Sequence, residues 1–359
     1  MGVREAIARS AGRRAHVLLV EVPGHWRTRT EVERAVLARG WSMALSPADA
    51  DLIAVCGDPR PRLGEAIEAV WHQMPGPRVR VEVTDHTQVE AALDDAGASL
   101  LDVDHHRRDA HTRPGAADLV SDGEGEDHGS MDHGSMDHGD MQMAPSGIAL
   151  AEGGQDRDGL EMDVLHLRLG PVLQYWPPGL LLRCALQGDV VTGARAELLD
   201  ADTGQDDVEP AAGAARTLDN VVSLLALAGW AEGAAEARRA RDAMLEDPAA
   251  AASRLLRLQR RVRRSRVLRW SLRGLRPLGP EDLGPHDLGA RLGGDTYDRL
   301  LGMLERAGDH DVRAVPPLDV DLLPRLVTGL DLAAARLVVA SLDVHLLAKR
   351  HVHDETPRA

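Results

Sequence analysis

The feature that most constrains the fold is a stretch near the middle of the chain that cannot build a core. Residues 121–140 contain seven acidic side chains, no lysine or arginine, and only methionine as a large apolar side chain. Such a segment buries too little apolar area to offset the entropy that a chain loses on ordering. The sequence therefore predicts two domains, at residues 1–103 and 148–359, joined by a disordered linker at residues 104–147.

The first domain alternates between short apolar runs and amphipathic runs. His16–Val22, Ala50–Asp58 and Arg78–Val83 each predict a strand, and helical spacing predicts helices between and after them. The run Ala98–Asp104 predicts a fourth strand. Alternation at these lengths indicates an α/β domain with a parallel, flavodoxin-like sheet.

The second domain begins with strands and continues with helices. Residues 161–170 and 179–199 alternate as strands around a turn rich in glycine and proline. From Arg216 onward the period becomes helical. Predicted helices run over Thr217–Leu245, with Thr217 or Asp219 as the N-cap, from about Ala250 to Leu275, over Thr296–Gly308 and over Asp331–His351. We therefore expect an α+β, mostly helical domain.

Cysteine usage limits the redox chemistry of a single chain. Cys56 and Cys184 are the only two cysteines, so neither a disulfide framework nor an iron–sulfur cluster with an all-cysteine ligand set can form. Each lies in an apolar run and is interpreted as a small buried hydrophobe. No glycine-rich phosphate loop, zinc-binding His-Glu helix or nucleophile elbow is present. The sequence thus predicts no catalytic residues and no intrinsic cofactor.

The charge and the hydropathy of the chain bound its location and its partners. A net charge of −15 disfavours non-specific binding to nucleic acid, because two polyanions repel each other. No segment offers the roughly 18 uncharged apolar residues that a membrane span needs, and the run Val17–Val20 is too short for the core of a signal peptide. We therefore expect a cytoplasmic protein, which membrane-bound partners would hold at the cytoplasmic face.

Two segments resemble adjacent subunits of one respiratory complex. Leu45–Val83, with Ser46-Pro47, Gly57 and Pro77-Arg78, resembles the small B-type subunit of NADH-quinone oxidoreductase (complex I) and the small subunit of [NiFe]-hydrogenases. Leu169–Val191 resembles the opening hairpin of the D-type subunit of complex I, a relative of the hydrogenase large subunit. The resemblance implies a fused B/D-type chain that assembles with the peripheral arm of such a complex.

The departures from the family pattern are as informative as the match. Where the B-type family has a cysteine-bearing loop, this chain has Glu82–Glu90, and the paired cysteines that bind nickel and iron in hydrogenases are missing. Val172–Tyr175 stands where the D-type turn carries a quinone-facing histidine, and Tyr175 either binds a ligand or packs. The resemblance then implies a degenerate, non-catalytic or accessory subunit; an enzyme completed by a partner chain's cysteines is the remaining alternative.

The predicted linker carries a repeated Met-Asp-His-Gly-Ser unit. Imidazole and carboxylate groups suit Ni(II) or Cu(II), thioethers suit Cu(I), and a flexible segment can wrap round either ion. The candidate metal ligands are His128, Met131, Asp132, His133, Met136, Asp137, His138, Met141 and Met143, with His105, His106 and His111 as further candidates. The alternative function is therefore a cytoplasmic nickel- or copper-binding protein; a spacer without a metal role is the other interpretation.

Two further features have both a functional and a structural interpretation. Ten arginines lie between Arg254 and Arg276, and no acidic residue occurs from Ala249 to Pro280. This basic amphipathic helix either docks on an anionic membrane or an acidic partner, or packs its apolar stripe and balances the chain's own acids. His25-Trp26, near a strand end, either contacts a ligand at the mouth of the sheet or is structural.

Overall fold

The computed structural model describes residues 14–113, 161–200, 210–283, 291–309 and 318–342, and the backbone of residues 152–155 and 347–348. The Met-Asp-His-Gly-Ser repeat and most of the predicted linker lie outside these residues. Within the described parts of the chain, every helix is too short or too polar to cross a membrane.

The first domain is built on a four-stranded parallel sheet with the order β2-β1-β3-β4. Its elements are β1 (His16–Glu21), α1 (Trp26–Ala38), β2 (Ser42–Met43), β3 (Leu52–Cys56), α2 (Pro61–Gln73), β4 (Val79–Val83), α3 (Val89–Leu100) and α4 (Val103–Thr112). This order is the one that flavodoxin-like sheets adopt, so the predicted α/β fold is confirmed. Strand β3 is buried along its whole length, as its continuous apolar run predicts for a sheet covered on both faces.

Helices cover the two faces of this sheet and form two apolar cores. Val32 and Val36 of α1 and Leu93 of α3 pack on one face, whereas Leu63 and Ile67 of α2 pack on the other. The chain therefore leaves β1 toward one face and β3 toward the opposite face. This divergence creates a crevice between the carboxyl ends of β1 and β3, which is where open α/β sheets bind their ligands.

The predicted fourth strand is wrong, because residues 98–104 form the end of α3, a short turn and the start of α4. Helix α3 continues to Leu100, and the Asp102 side chain then accepts hydrogen bonds from the backbone N–H groups of Asp104 and His105 and so caps α4. Asp109 of α4 accepts two hydrogen bonds from the buried guanidinium of Arg78, at 3.1 and 3.2 Å. The first residues assigned to the linker are thus a helix that packs on the first domain.

The second domain joins an antiparallel sheet to a group of helices. Its strands, in the order β5-β6-β7-β8, are β5 (Glu152–Gln155), β6 (Glu161–Leu169), β7 (Leu180–Gln187) and β8 (Val190–Leu198). The helices are α5 (Pro210–Leu227), α6 (Ala231–Glu246), α7 (Pro248–Arg264), α8 (Arg266–Leu272), α9 (Pro280–Leu283), α10 (Thr296–Asp309), α11 (Leu323–Val327) and α12 (Leu332–Ser341), and β9 (Leu318–Asp319) pairs with β10 (Leu347–Ala348). The predicted α+β, mostly helical domain is confirmed.

Local breakers divide the long helices that the period predicts. The predicted helix Thr217–Leu245 is two helices, because Gly229 adopts φ +76° and the Trp230 N–H turns back to the Leu225 carbonyl. The predicted helix from Ala250 to Leu275 divides at Ser265, whose hydroxyl accepts from the Leu268 N–H and caps α8. The last predicted helix, Asp331–His351, is also shorter in the structure, where α12 ends at Ser341.

Candidate functional site

The carboxyl edge of the parallel sheet is the place where this fold would bind a ligand, and here side chains fill it. Gly57 follows β3 with φ +113°, and a Cβ atom at this position would lie 2.5 Å from Cδ2 of His25. Only glycine therefore allows the His25 ring to lie against the backbone at the end of β3. His25 reaches the mouth of the sheet, as the sequence predicts, and it packs there against the chain itself.

The second domain covers the same edge. The backbone N–H of Arg60 donates to Oδ2 of Asp200 at 3.0 Å, and Arg62 forms an ion pair with Glu197 at 2.5 Å. Val172, in the turn before β7, packs against the apolar core beneath α2. The edge that binds ligands in open α/β sheets is thus used here for contact between the two domains.

Trp26, the first residue of α1, crosses from the first domain into the core of the second. Only 8% of its surface is exposed, and it belongs to the same apolar cluster as Leu218 and Val222 of α5. Its indole Nε1 donates to Oδ2 of Asp219 at 3.2 Å, and the Arg216 guanidinium lies 5.4 Å from the ring centroid. Trp26 therefore anchors one domain in the other rather than contacting a ligand.

A buried set of ion pairs surrounds this anchor, and we call it the interdomain charge network. Its members are Glu21, Arg29 and Glu33 of the first domain and Asp219, Arg238, Arg241 and Asp242 of the second. Nη1 of Arg241 bridges the domains, at 2.6 Å from Oε2 of Glu33 and 2.5 Å from Oδ1 of Asp219. Arg238 donates to Glu33 at 2.6 Å, and Arg29 pairs with both Glu33 and Asp219.

The carboxyl groups of the network divide into two kinds. Burial acts to raise the pKa of both Asp219 and Glu33. Attraction by Arg29 and Arg241 outweighs burial at Asp219 and lowers its pKa. At Glu33, Arg241, Arg29 and Arg238 together have the same effect. Burial prevails at Glu21, where it raises the pKa despite the neighbouring Arg29. The network therefore holds two carboxylates firmly ionised between the domains and leaves Glu21 readier to bind a proton.

Burial also raises the pKa of Asp242, although Arg241 lies 2.8 Å away. Asp242 and Glu21 are thus the two carboxyl groups of the network at which desolvation outweighs the nearest arginine. Among the described residues, each of these two groups has one guanidinium at ion-pair distance, whereas Glu33 and Asp219 have at least two.

Tyr175 contacts the network from the turn that resembles the D-type family. Its backbone is left-handed, with φ +60°, and its hydroxyl accepts a hydrogen bond from Nη2 of Arg238 at 2.9 Å. In the same turn, the Gln174 carbonyl accepts from Arg336 at 2.9 Å, and Nε1 of Trp176 donates to the Leu180 carbonyl at 2.8 Å. The polar groups of this turn therefore bind other residues of the chain.

Both cysteines lie inside strands, in the cores of different domains. Cys56 belongs to β3 and Cys184 to β7, and burial raises the pKa of each thiol. A raised pKa keeps the thiol protonated at neutral pH, whereas metal binding requires the thiolate. Their positions agree with the interpretation of both residues as small buried hydrophobes.

Of the predicted metal ligands, only His105, His106 and His111 are among the residues that the structure describes. His128, Met131, Asp132, His133, Met136, Asp137, His138, Met141 and Met143 lie outside the described residues. On α4, His105 and His111 are exposed, and Nε2 of His106 lies 3.1 Å from the Leu100 carbonyl. In the described ranges, no three His, Cys, Asp or Glu side chains converge to hold a metal ion.

The interdomain charge network was not predicted from the sequence, although helix α6 carries a signal for it. Arg241 stands at helical spacing between the buried Ala237 and Met244 of α6, so a charged residue occupies a core position of that helix. Asp219 was predicted as a helix N-cap, but it lies inside α5, in the same helical turn as the buried Leu218 and Val222. Charged residues on apolar helix faces indicate buried partners, but they do not identify them.

Comparison of the chain with protein-family models, with curated proteins and with solved structures found no match.

Proposed function

We propose that this protein is a non-catalytic structural subunit of a complex I-like NADH-quinone oxidoreductase or a [NiFe]-hydrogenase-related complex. It would lie in the peripheral arm, at the cytoplasmic face of the membrane. The observation that carries the proposal is the interdomain charge network, in which Arg241 contacts Glu33 and Asp219. It joins the domain that resembles a B-type subunit to the domain that resembles a D-type subunit.

The physical consequence of the network is a defined arrangement of two domains. Arg241 is fully buried and Glu33 is 2% exposed, so any other packed arrangement of the domains that kept both groups buried but unpaired would leave uncompensated charges. Buried ion pairs add little net stability compared with apolar packing, but they penalise packed arrangements in which the partners stay buried without each other. A chain of this design supports a role in holding one orientation for partner subunits.

The chemistry of the remaining candidates supports the same role. The carboxyl edge of the sheet is used for domain contact, the Tyr175 hydroxyl binds Arg238, and the Cys56 and Cys184 thiols are buried and protonated. These groups serve packing and orientation. The complex would draw its electron carriers from other subunits.

The test is purification of the full chain, with an affinity tag, from membranes of its native cells in mild detergent. We expect oxidoreductase membrane-complex subunits to co-purify in stoichiometric amounts, as measured by quantitative mass spectrometry. Arg241→Met should reduce this yield, because it removes the cation between the domains. Arg34→Met is the matched control, since Arg34 also pairs with a carboxylate of each domain but is 44% exposed.

Two outcomes would contradict the proposal. One is a wild-type chain that purifies without any oxidoreductase subunit. The other is anaerobically purified chain that carries stoichiometric iron and acid-labile sulfide, which would make it an electron carrier in its own right.

The alternative function, nickel or copper binding through the Met-Asp-His-Gly-Ser repeat, is supported by the spacing of His, Asp and Met in the sequence. Deletion of Glu126–Met143 from the full chain separates the two proposals. If metal content falls while the oxidoreductase partners remain, the repeat binds metal and the structural role stands. If no partners are found and cells lose tolerance to nickel or copper, the metal-binding function replaces it.

A further inference from the structure

The outward side of α7 and α8 carries an unusual combination of exposed apolar and basic side chains. Val267 is 76% exposed and Trp270 is 84% exposed, and these are the two most exposed large apolar side chains in the described part of the chain. Leu256, on α7, is 52% exposed. Isolated exposed apolar residues are common on protein surfaces, but a tryptophan with almost its whole ring in solvent is not.

Exposed arginines accompany these apolar side chains. Arg257, Arg260 and Arg264 are three and four positions apart and share one side of α7, and Arg266 and Trp270 share one side of α8. Arg273 follows as the extended C-cap residue of α8. Among the described residues, no carboxylate forms an ion pair with Arg257, Arg260, Arg264 or Arg266, whereas Arg273 interacts electrostatically with Asp295. We call the set Leu256, Arg257, Arg260, Arg264, Arg266, Val267, Trp270 and Arg273 the Arg/Trp face.

The other side of the same helices is already committed to the core. Leu255, Leu258 and Val262 of α7 and Leu268 and Leu272 of α8 are all buried in the helical core. Arg261 and Arg263 reach acidic residues on α6 and α10. The apolar stripe of the basic segment therefore packs in the core and part of its charge is balanced by the chain's own acids, while the Arg/Trp face remains exposed.

We propose that the Arg/Trp face binds the surface of an anionic lipid bilayer. Tryptophan is enriched at the headgroup level of membranes, and guanidinium groups form paired hydrogen bonds with phosphate oxygens. The apolar side chains project singly from the two helices, which fits insertion among lipid headgroups. Because the whole chain has a net charge of −15, an anionic surface would repel its other faces and turn this one toward the membrane.

This inference does not rest on the proposed function, because it is argued from the Arg/Trp face alone. The test is flotation of the full chain with vesicles of phosphatidylcholine and phosphatidylglycerol in equal amounts, with pure phosphatidylcholine vesicles for comparison. We expect binding to the anionic vesicles only. The triple variant Arg260→Gln/Arg264→Gln/Arg266→Gln should bind roughly a hundredfold more weakly, at about fivefold for each arginine near the lipid.

The antiparallel sheet provides a matched control for charge. Arg168, Arg183 and Arg195 lie opposite one another on β6, β7 and β8, and all three are exposed. The triple variant Arg168→Gln/Arg183→Gln/Arg195→Gln changes the net charge by the same amount at a site without an exposed tryptophan. It should bind anionic vesicles within about threefold of the wild-type chain, because its arginines lie away from the lipid.

Trp270 provides a readout that charge alone would not move. Transfer of its indole from water to the headgroup region should shift the protein's fluorescence to shorter wavelength, and Trp270→Phe should abolish the shift while most of the binding remains. Leu45→Ser, which changes an exposed apolar side chain of the first domain, should leave the shift intact. Thermal melts of all variants verify folding, which these exposed residues should not affect.

Three outcomes would overturn the proposal. Equal weakening by the two triple arginine variants would mean general electrostatic attraction. Failure to bind anionic vesicles at low salt would exclude the membrane, and binding of soluble polyglutamate in its place would identify an acidic protein as the partner. A fluorescence shift that persists in Trp270→Phe would place the contact elsewhere on the chain.

Discussion

Replacement of Arg241 by methionine tests the central physical claim, which is that a buried cation holds the two domains together. Methionine keeps most of the volume of the side chain and removes its charge. Arg241 is fully buried and contacts Glu33, Asp219 and Asp242 at 2.5 to 2.8 Å. The variant leaves these carboxylates with fewer partners, and the side chains of Glu33 and Asp219 are only 3% and 13% exposed.

The expected cost follows from what remains in the network. Removing one partner of a buried ion pair typically destabilises a protein by about 3 to 5 kcal/mol. Glu33 retains Arg29 and Arg238, and Asp219 retains Arg29. Asp242 loses its guanidinium contact, but its side chain is 26% exposed and water can solvate it. We therefore expect a loss at the lower end, about 3 kcal/mol at pH 7.

Urea unfolding followed by circular dichroism measures this loss, and Arg34→Met is the control. Arg34 pairs with Glu31 and, across the domain boundary, with Glu246, but its side chain is 44% exposed. Exposed pairs contribute about 0 to 1 kcal/mol, because water and salt screen them. The reasoning would be refuted if Arg241→Met cost less than about 1 kcal/mol, or no more than Arg34→Met.

The pH dependence of the same variant checks the sign of the electrostatics. The pKa values of Glu33 and Asp219 are lowered from their ordinary values of 4.5 and 3.8, so their stabilising contribution is present above these values and is lost as the pH falls through the lowered ones. Without Arg241 both pKa values rise, and the variant loses less on acidification. The difference between the two proteins should therefore narrow below about pH 4.5, and a constant difference would contradict an electrostatic origin.

Three further predictions follow from named contacts. Trp26→Ala should cost about 3 to 5 kcal/mol, because it empties a site in the helical core, whereas Trp270→Ala should change stability by less than about 0.5 kcal/mol; similar losses in urea unfolding would argue against the interdomain anchor. Arg183→Glu should raise the free energy of unfolding by about 0.5 to 1 kcal/mol, because Arg168 and Arg195 face this position on the neighbouring strands. A lower midpoint in urea unfolding would show that the three arginines do not repel one another. Asp219→Asn should cost about 2 kcal/mol at neutral pH, and the cost should shrink as the pH falls below about 4 in an acid titration of stability, since this carboxyl has a lowered pKa in the folded chain.

The elements of the fold were predictable wherever the signal is local. Period and apolar runs predict strands β1, β3 and β4 and helices α1, α2 and α10, because each depends on neighbours a few residues away. The failures are also local. At Asp102, a helix N-cap forms where an apolar run predicts a strand. At Gly229 and Ser265, a left-handed residue and a capping hydroxyl end helices that the helical spacing of apolar residues would continue.

The sequence by itself determined the class of each domain and the limit on thiol chemistry, because both follow from composition and short-range pattern. Only the tertiary structure decided that the two domains share a buried interface, and that Arg241 finds its partner in Glu33, 208 positions away. Helical spacing reveals that a charged side chain faces a core, but Coulomb attraction acts through space. The identity of the opposite charge is therefore known only once the chain has folded.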